Sequence, residues 1–399
     1  MGFRLAILVL FFLAFGLILR GILRKRDSSG IRSGYLLLGH LFALFFGLLL
    51  SPALFSVIDV DTKRGLVPIL EMSFGWVGFL FGFQFNITTL ARIPGSHLRR
   101  AIAESLTAFA VVAVSSYFIL RIYGGMLGIR PPDVLKNALA FGAVLSISSP
   151  TLIGIIQRRI RSRSPLTGLL TVTTSIDGLT GLVTLGVINI FWHPAGLALY
   201  LVLGLTLLLG LGQAFLIWLL LQSERKAIPT AILGIGVLTL GAGMSAYLGL
   251  APVVPGALAG IVAANLAPGL RQRLARMLLT AESGLYLGLI VLAGVFLPTM
   301  GQYSAPAIMW VCFTALCLRF LGKMAGGALI YTGEQNRETR GRRWLFGCSL
   351  QSGGALLLAV ALCYSQTMGG SEASIIVVTA LATFIVGEIL SVYSLPRLL

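Results

Sequence analysis

Apolar residues run along this chain in long blocks, separated by short polar stretches rich in Arg. Most blocks reach the 18 or so residues that an α-helix needs to cross a bilayer. The pattern predicts thirteen spans, at 3–20, 34–52, 66–91, 101–123, 135–157, 165–191, 195–221, 228–249, 252–267, 277–297, 306–332, 344–366 and 372–395. The fold class expected is therefore an all-α polytopic membrane protein of about 13 transmembrane helices.

Two predicted spans are interrupted near their middles. The fifth contains "LSISSPTLIG" (145–154), where Pro150 removes a backbone donor and clashes with the preceding turn. The twelfth contains "CSLQSGGALL" (348–357), where Gly353 and Gly354 weaken the helix. Unpaired backbone at bilayer depth is tolerated only when buried in protein or lining a cavity. A matched pair of broken helices points to the binding site of a secondary transporter. The fifth span is fourth in the set 2–6, and the twelfth is fourth in the set 9–13. The two sets enter the membrane from opposite sides. A single transmembrane domain, 1–399, is thus expected, with inverted repeats at about 34–191 and 252–395, crossed broken helices and no soluble regulatory domain.

Composition agrees with this reading. The chain is 57% hydrophobic and 11% charged, with mean hydropathy +0.95, where a soluble domain carries about 25% charged residues. Its net charge of +17 comes from short Arg-rich loops. Of the 30 Lys and Arg, 22 fall in the loops after the odd-numbered spans and in the C-terminal tail, including "RRIRSRS" and "RGRR". Six lie on the other side and two inside a span. By the positive-inside rule the basic side is cytoplasmic, which puts the N-terminus outside and the C-terminus inside, in the cell (inner) membrane. That asymmetry accounts for the basic pI without nucleic acid as a partner.

Residues 1–20 read as a first span rather than a cleaved signal, because the charges follow the apolar run. The four cysteines sit in apolar runs with no zinc spacing. "GAGMSA" (241–246) has no preceding strand and reads as close helix packing rather than a dinucleotide loop. No nucleotide-binding loop, kinase set or metal-protease motif occurs, so neither an enzyme nor a cofactor or metal is expected.

Four ionisable residues fall well inside spans: Asp177 in the sixth, Arg319 and Lys323 in the eleventh, and Glu388 in the thirteenth. An ionised Asp at mid-bilayer costs roughly 2.5–3.5 kcal/mol on insertion scales, so its place calls for a partner. Helix rise puts Asp177 ~18 Å and Lys323 ~14 Å from the cytoplasmic ends of their spans, at compatible depth. At ~4 Å and an effective dielectric of ~20, such a pair gains about 4 kcal/mol. Arg319 precedes Lys323 by one turn. Thr173, Thr174 and Thr180 lie at i−4, i−3 and i+3 from Asp177. Each hydroxyl either bonds back to its own helix or, with Ser148, Ser149 and Thr151 of the broken span, supplies oxygen ligands to a small cation or a proton-linked water. Glu71, Glu104 and Glu282 fall nearer span ends, and His40 reads as a packing residue.

The order of these pieces resembles the cation–proton antiporter superfamily, nearest its bacterial sodium–proton and Kef-type branch. The likeness runs through "GYLLLGH" in the second span, "GALAGIVAAN" in the ninth and "SISSPT" at the first break. "SIDGLTGL" resembles an Ile-Asp-Asp-x-x-Gly motif, "LGKMAGG" a Gly-Lys-x-x-Gly motif, and "LQSGGALLLAV" a Gln-Gly-Gly-Glu-Phe break that includes Gln351. The resemblance implies a six-helix core moving against a dimer-forming scaffold, a homodimer, and protons exchanged for a small cation or solute across the lipid bilayer. It places Asp177 on the first Asp of the family's pair, partnered by Lys323. The second Asp, the direct carrier, is here Gly178. The acidic positions at 355 and 149 are Ala355 and Ser149. With the second carboxylate missing, Asp177 is left to do both jobs or neither.

The leading expectation is a proton-coupled antiporter in which Asp177 binds either ligand, with Arg319, Glu388 and Gln351 as secondary candidates. One alternative is a same-fold carrier of an organic anion or other solute, which several uncompensated basic groups in the cavity would mark. Another is a non-transporting membrane sensor or scaffold, marked by Asp177 and Lys323 locked together without a water route.

Overall fold

The computed structural model describes residues 32–52, 57–150, 153, 165–222, 227–298, 305–330 and 343–398. The first predicted span and Thr151 lie outside them, as does most of the two Arg-rich loops singled out above. In chain order the first helices are α1 (Arg32–Leu50), α2 (Val67–Gly82), α3 (Gly95–Tyr123), α4 (Val134–Ser146) and α5 (Pro165–Phe191). There follow α6 (Leu199–Gln222), α7 (Ala227–Tyr247), α8 (Val253–Ala264) and α9 (Pro268–Val295). The last are α10 (Ala305–Ile330), α11 (Arg343–Ser349), α12 (Gly354–Met368) and α13 (Ser371–Leu398). Every predicted span from the second to the thirteenth has its helix, and the twelfth is split into α11 and α12. Among the described residues, six helices are long and apolar enough to cross a membrane, and further apolar helices run 10–17 residues. The chain is a multi-pass, all-α membrane protein.

The helices sort into two compact units that alternate along the chain. One is Met1–Arg92 with Asn189–Leu297; the other is Ile93–Ile188 with Pro298–Leu399. In the first unit α1 packs on α9, and α2 packs on α8. The α2–α8 contact is backbone against backbone. Gly78 and Gly82 face Val253 and Ala257, while Gly256 and Gly260 face Gly75 and Phe79. Such small-residue stripes give van der Waals contact where lipid offers no hydrophobic drive between helices. Gly241 of "GAGMSA" abuts Gln213 of α6, a packing role.

The third predicted span is too long. Its helix ends at Gly82 because two asparagines take over the backbone. Asn86 Nδ2 donates to Ala264 O (2.6 Å), and the Ile87 amide donates to Asn265 Oδ1 (2.8 Å). Asn265 Nδ2 donates in turn to Phe85 O (3.0 Å). Hydropathy does not register such reciprocal caps.

The second unit holds both interrupted spans. Here α3 packs on α4 and α10, α10 on α11 and α13, and α12 on α13. An apolar cluster of Leu169, Leu170, Ile330, Phe346, Leu350 and Leu395 joins its helices. The chain leaves α4 at Ile147–Ser149 and leaves the other helix at Leu350–Gly353. The two breaks meet: the Ser149 amide donates to Ser352 O at 2.7 Å, and Ser148 Oγ donates to Leu350 O at 2.7 Å. Gly354 begins α12 with φ +56°, the left-handed region that favours glycine, and a side chain there would run into Ser149. The crossing needs residue 354 to be Gly on both counts.

Candidate functional site

A helix that stops inside the membrane leaves carbonyls without partners. In the second unit one side chain serves those of both breaks. Arg319, buried on α10, donates through Nη1 to Leu145 O (2.6 Å). Through Nη2 it donates to Ile147 O (2.8 Å) and Gln351 O (2.6 Å). A planar guanidinium with donors in fixed directions suits this three-way bond, and its charge also suits the C-terminal end of α4. Beside it, Ser352 Oγ donates to Glu388 Oε1 (2.6 Å), and the Ser352 amide donates to Ser391 Oγ (2.7 Å). Glu388 and Ser391, one turn apart on α13, thus hold the second break from its other side. The Gln351 side chain lies in a cavity of about 360 Å³ between α10 and α13, with its Nε2 buried and unpartnered.

One turn beyond Arg319, the motif lysine reaches the carboxylate. Lys323 Nζ lies 2.5 Å from Asp177 Oδ2 and 3.4 Å from Glu104 Oε1. All three side chains are 0% exposed. Asp177 Oδ1 and Glu104 Oε2 are buried with no hydrogen-bond partner. Glycines bring the elements this close. Gly181 of α5 abuts Ile147 and Ala143, Gly322 abuts Ala108 of α3, and Gly326 abuts Glu104 itself.

The threonine hydroxyls bond mainly along their own helix. Thr173 donates to Leu169 O (2.9 Å), Thr174 to Leu170 O (3.0 Å) and Thr180 to Ile176 O (3.0 Å). With its proton so used, Thr180 Oγ1 accepts from Ser105 Oγ of α3 (2.8 Å). Ser148 spends its hydroxyl on the crossing. The structure therefore brings Asp177 and Lys323 together, sets Arg319, Ser148, Ser149, Gln351 and Glu388 at the breaks, and turns Thr173 and Thr174 back on α5.

Glu104 is the residue that hydropathy misplaced. Arg99 and Arg100 read as the edge of the membrane region, so the span was expected to start at 101. The helix instead starts at Gly95, which puts Glu104 nine residues, or ~13 Å, inside it. The Pro94–Gly95–Ser96 sequence was the available signal for that earlier start.

Removing the lysine leaves two buried carboxylates without their counter-ion, a loss of roughly 3–5 kcal/mol for a buried pair. Lys323→Ala is expected to lower the thermal midpoint of the purified protein at alkaline pH. Acidification, which lets the carboxylates take up protons, should restore part of it. A midpoint equal to that of the wild type across pH would contradict the ion pair.

What the geometry defines is a class: a multi-pass helical bundle with two crossed broken helices beside a buried carboxylate–lysine cluster. Solved structures share that fold. The sodium proton antiporter MjNhaP1 from Methanocaldococcus jannaschii, at pH 8, superposes with a TM-score of 0.65 at 15% sequence identity, over 98% of this chain and 100% of that one. An electron-microscopy map of the same antiporter gives 0.61 at 16% identity, over 98% of each chain. At this identity the likeness is one of fold. No family model matches the chain, and no curated protein matches it in sequence.

Proposed function

We propose that this protein is a proton-coupled antiporter, exchanging protons for a monovalent cation or another small solute by alternating access. The observation that carries the reading is the buried Asp177 oxygen left without a partner, set beside two crossed, broken helices in one compact unit. Asp177 keeps one oxygen bonded to the lysine and one without a partner, so a proton and a cation compete for it. The neighbouring fold belongs to a sodium proton antiporter, which favours the same activity.

The packing favours inverted repeats at 34–191 and 252–395. The second predicted span (α1) pairs with the tenth (α9), and the third (α2) pairs with the ninth (α8), so exchanging the two sets maps each partnership onto the other. The moving part in this reading is the unit of the crossed breaks, and the other unit is the scaffold and homodimer surface. The basic loops face the cytoplasm of the inner membrane. A cysteine placed at Ser162 should then be labelled only from the cytoplasmic side, and labelling from outside would reverse the orientation.

An organic-anion carrier would present uncompensated basic groups. Among the described buried residues, Arg319 is committed to three carbonyls and Lys323 to carboxylates. The test of the antiporter reading is a pH jump on proteoliposomes in Na⁺, K⁺, Li⁺ or small organic solutes. Cation-dependent collapse of the pH gradient is expected; a gradient indifferent to every solute would overturn the reading.

A further inference from the structure

We propose that Glu104 is the second carboxylate of the exchange site, occupying in three dimensions the role that Gly178 leaves vacant in sequence. The proposal rests on the antiporter reading and names the group that gains and loses the ion.

Three observations carry it. First, Glu104 shares Lys323 with Asp177, at 3.4 Å against 2.5 Å, and its second oxygen is buried without a partner. The ammonium is thus bound mainly to Asp177, and Glu104 is the acid left to take another positive charge. Second, the position is built. A methyl group at Gly326, the closing Gly of "GKMAG", would lie 2.8 Å from Glu104 Cγ and 3.0 Å from its Oε1, so the motif glycine makes room for this carboxylate. Ser105 and Thr180, next to Glu104 and one turn past Asp177, fasten α3 to α5 at this level. Third, the charges do not cancel. The buried carboxylates, lysine and arginine among the described residues all fall in the second unit: Glu104, Asp177 and Glu388 against Arg319 and Lys323. One negative charge is left over, and an uncompensated buried charge is strongly disfavoured. One proton or one monovalent cation brings the set to neutrality.

Among the described residues, the ionisable groups facing Glu104 are few. Lys323 and Arg319 come from α10, Asp177 from α5, and Arg100 lies one turn back on α3 itself. The one ionisable residue of α4, Lys136, is ion-paired with Asp133 at 2.8 Å. In the exchange, the proton leaves the Glu104 carboxyl for water, and a monovalent cation takes its place between Glu104 Oε2 and Asp177 Oδ1. Both loaded forms carry the same charge, so exchange is one for one and electrically neutral.

The test counts protons. Na⁺, K⁺ or Li⁺ is added to the purified full-length protein in weak buffer with a pH dye, in parallel with proteoliposome exchange at a potassium potential set by valinomycin. In Na⁺ or Li⁺ the wild type should release about one proton per chain and exchange at a rate indifferent to the potential. Glu104→Gln should release none and exchange nothing, yet run as a folded species on size exclusion, because Asp177 and Lys323 remain a balanced pair. Glu104→Asp should keep the release with a displaced pH profile. If the wild type exchanges and Glu104→Gln matches it in proton count and pH profile, Glu104 is structural and this proposal falls alone. Should Glu104→Gln fail to fold, a Glu104→Asp profile identical to that of the wild type overturns it instead. A wild type inert to every cation overturns this proposal together with the antiporter reading.

Discussion

Asp177→Asn is expected to bring proton-coupled exchange down to the background of empty liposomes while the protein still inserts and folds. Asn keeps the size of the side chain and one acceptor for Lys323, so the packing around a fully buried position is retained. It cannot take up or release a proton, and it removes the negative charge that makes the buried set uneven. With one carboxylate and one ammonium left in the cluster, no further positive charge is called for. Asp177→Glu keeps the charge and should retain some exchange with a displaced pH optimum. Exchange by Asp177→Asn at the wild-type rate, measured by pH jump, would move the carrier site elsewhere.

The second large effect is expected on stability. Arg319→Ala strips Leu145 O, Ile147 O and Gln351 O of their donor at once. An orphaned buried acceptor costs roughly 1–3 kcal/mol, and three of them share one site. The loss should exceed that of Lys323→Ala, and it should not recover on acidification, because carbonyls do not titrate. Arg319→Lys is not conservative here: an ammonium on a flexible stem lacks the planar fork. It should rescue only part of the thermal midpoint in detergent. An Arg319→Ala protein as stable as the wild type would show that the two breaks hold together without the guanidinium.

Much of this arrangement was readable along the chain, and the residues say why. The breaks announce themselves because Pro150 and the Gly353–Gly354 pair interrupt otherwise unbroken hydropathy. Asp177 and Lys323 stand out because each is costly in a bilayer, and 1.5 Å per residue is enough to set them at one level. Less visible was anything decided by the approach of two helices. Arg319 looked like a neighbour of Lys323 on the same face, since nothing in its own span indicates that carbonyls of two distant segments converge on it. Glu104 was hidden by Arg99 and Arg100, which the positive-inside pattern treats as a boundary although the helix runs through them. The end of α2 depends on Asn86 and Asn265 finding each other 178 residues or so apart, a pairing with no local signature.

The three carbonyl bonds of Arg319 also set a schedule for biogenesis. Leu145 is made 174 residues before the arginine that satisfies it. At translation rates of about 5–20 residues per second, the first break waits on the order of 10–30 s for its donor. During that interval its carbonyls must be sheltered by the insertion machinery, by water or by neighbouring helices. The break is therefore more vulnerable in the nascent chain than in the finished protein, and the quality of the eleventh span decides whether the fifth survives.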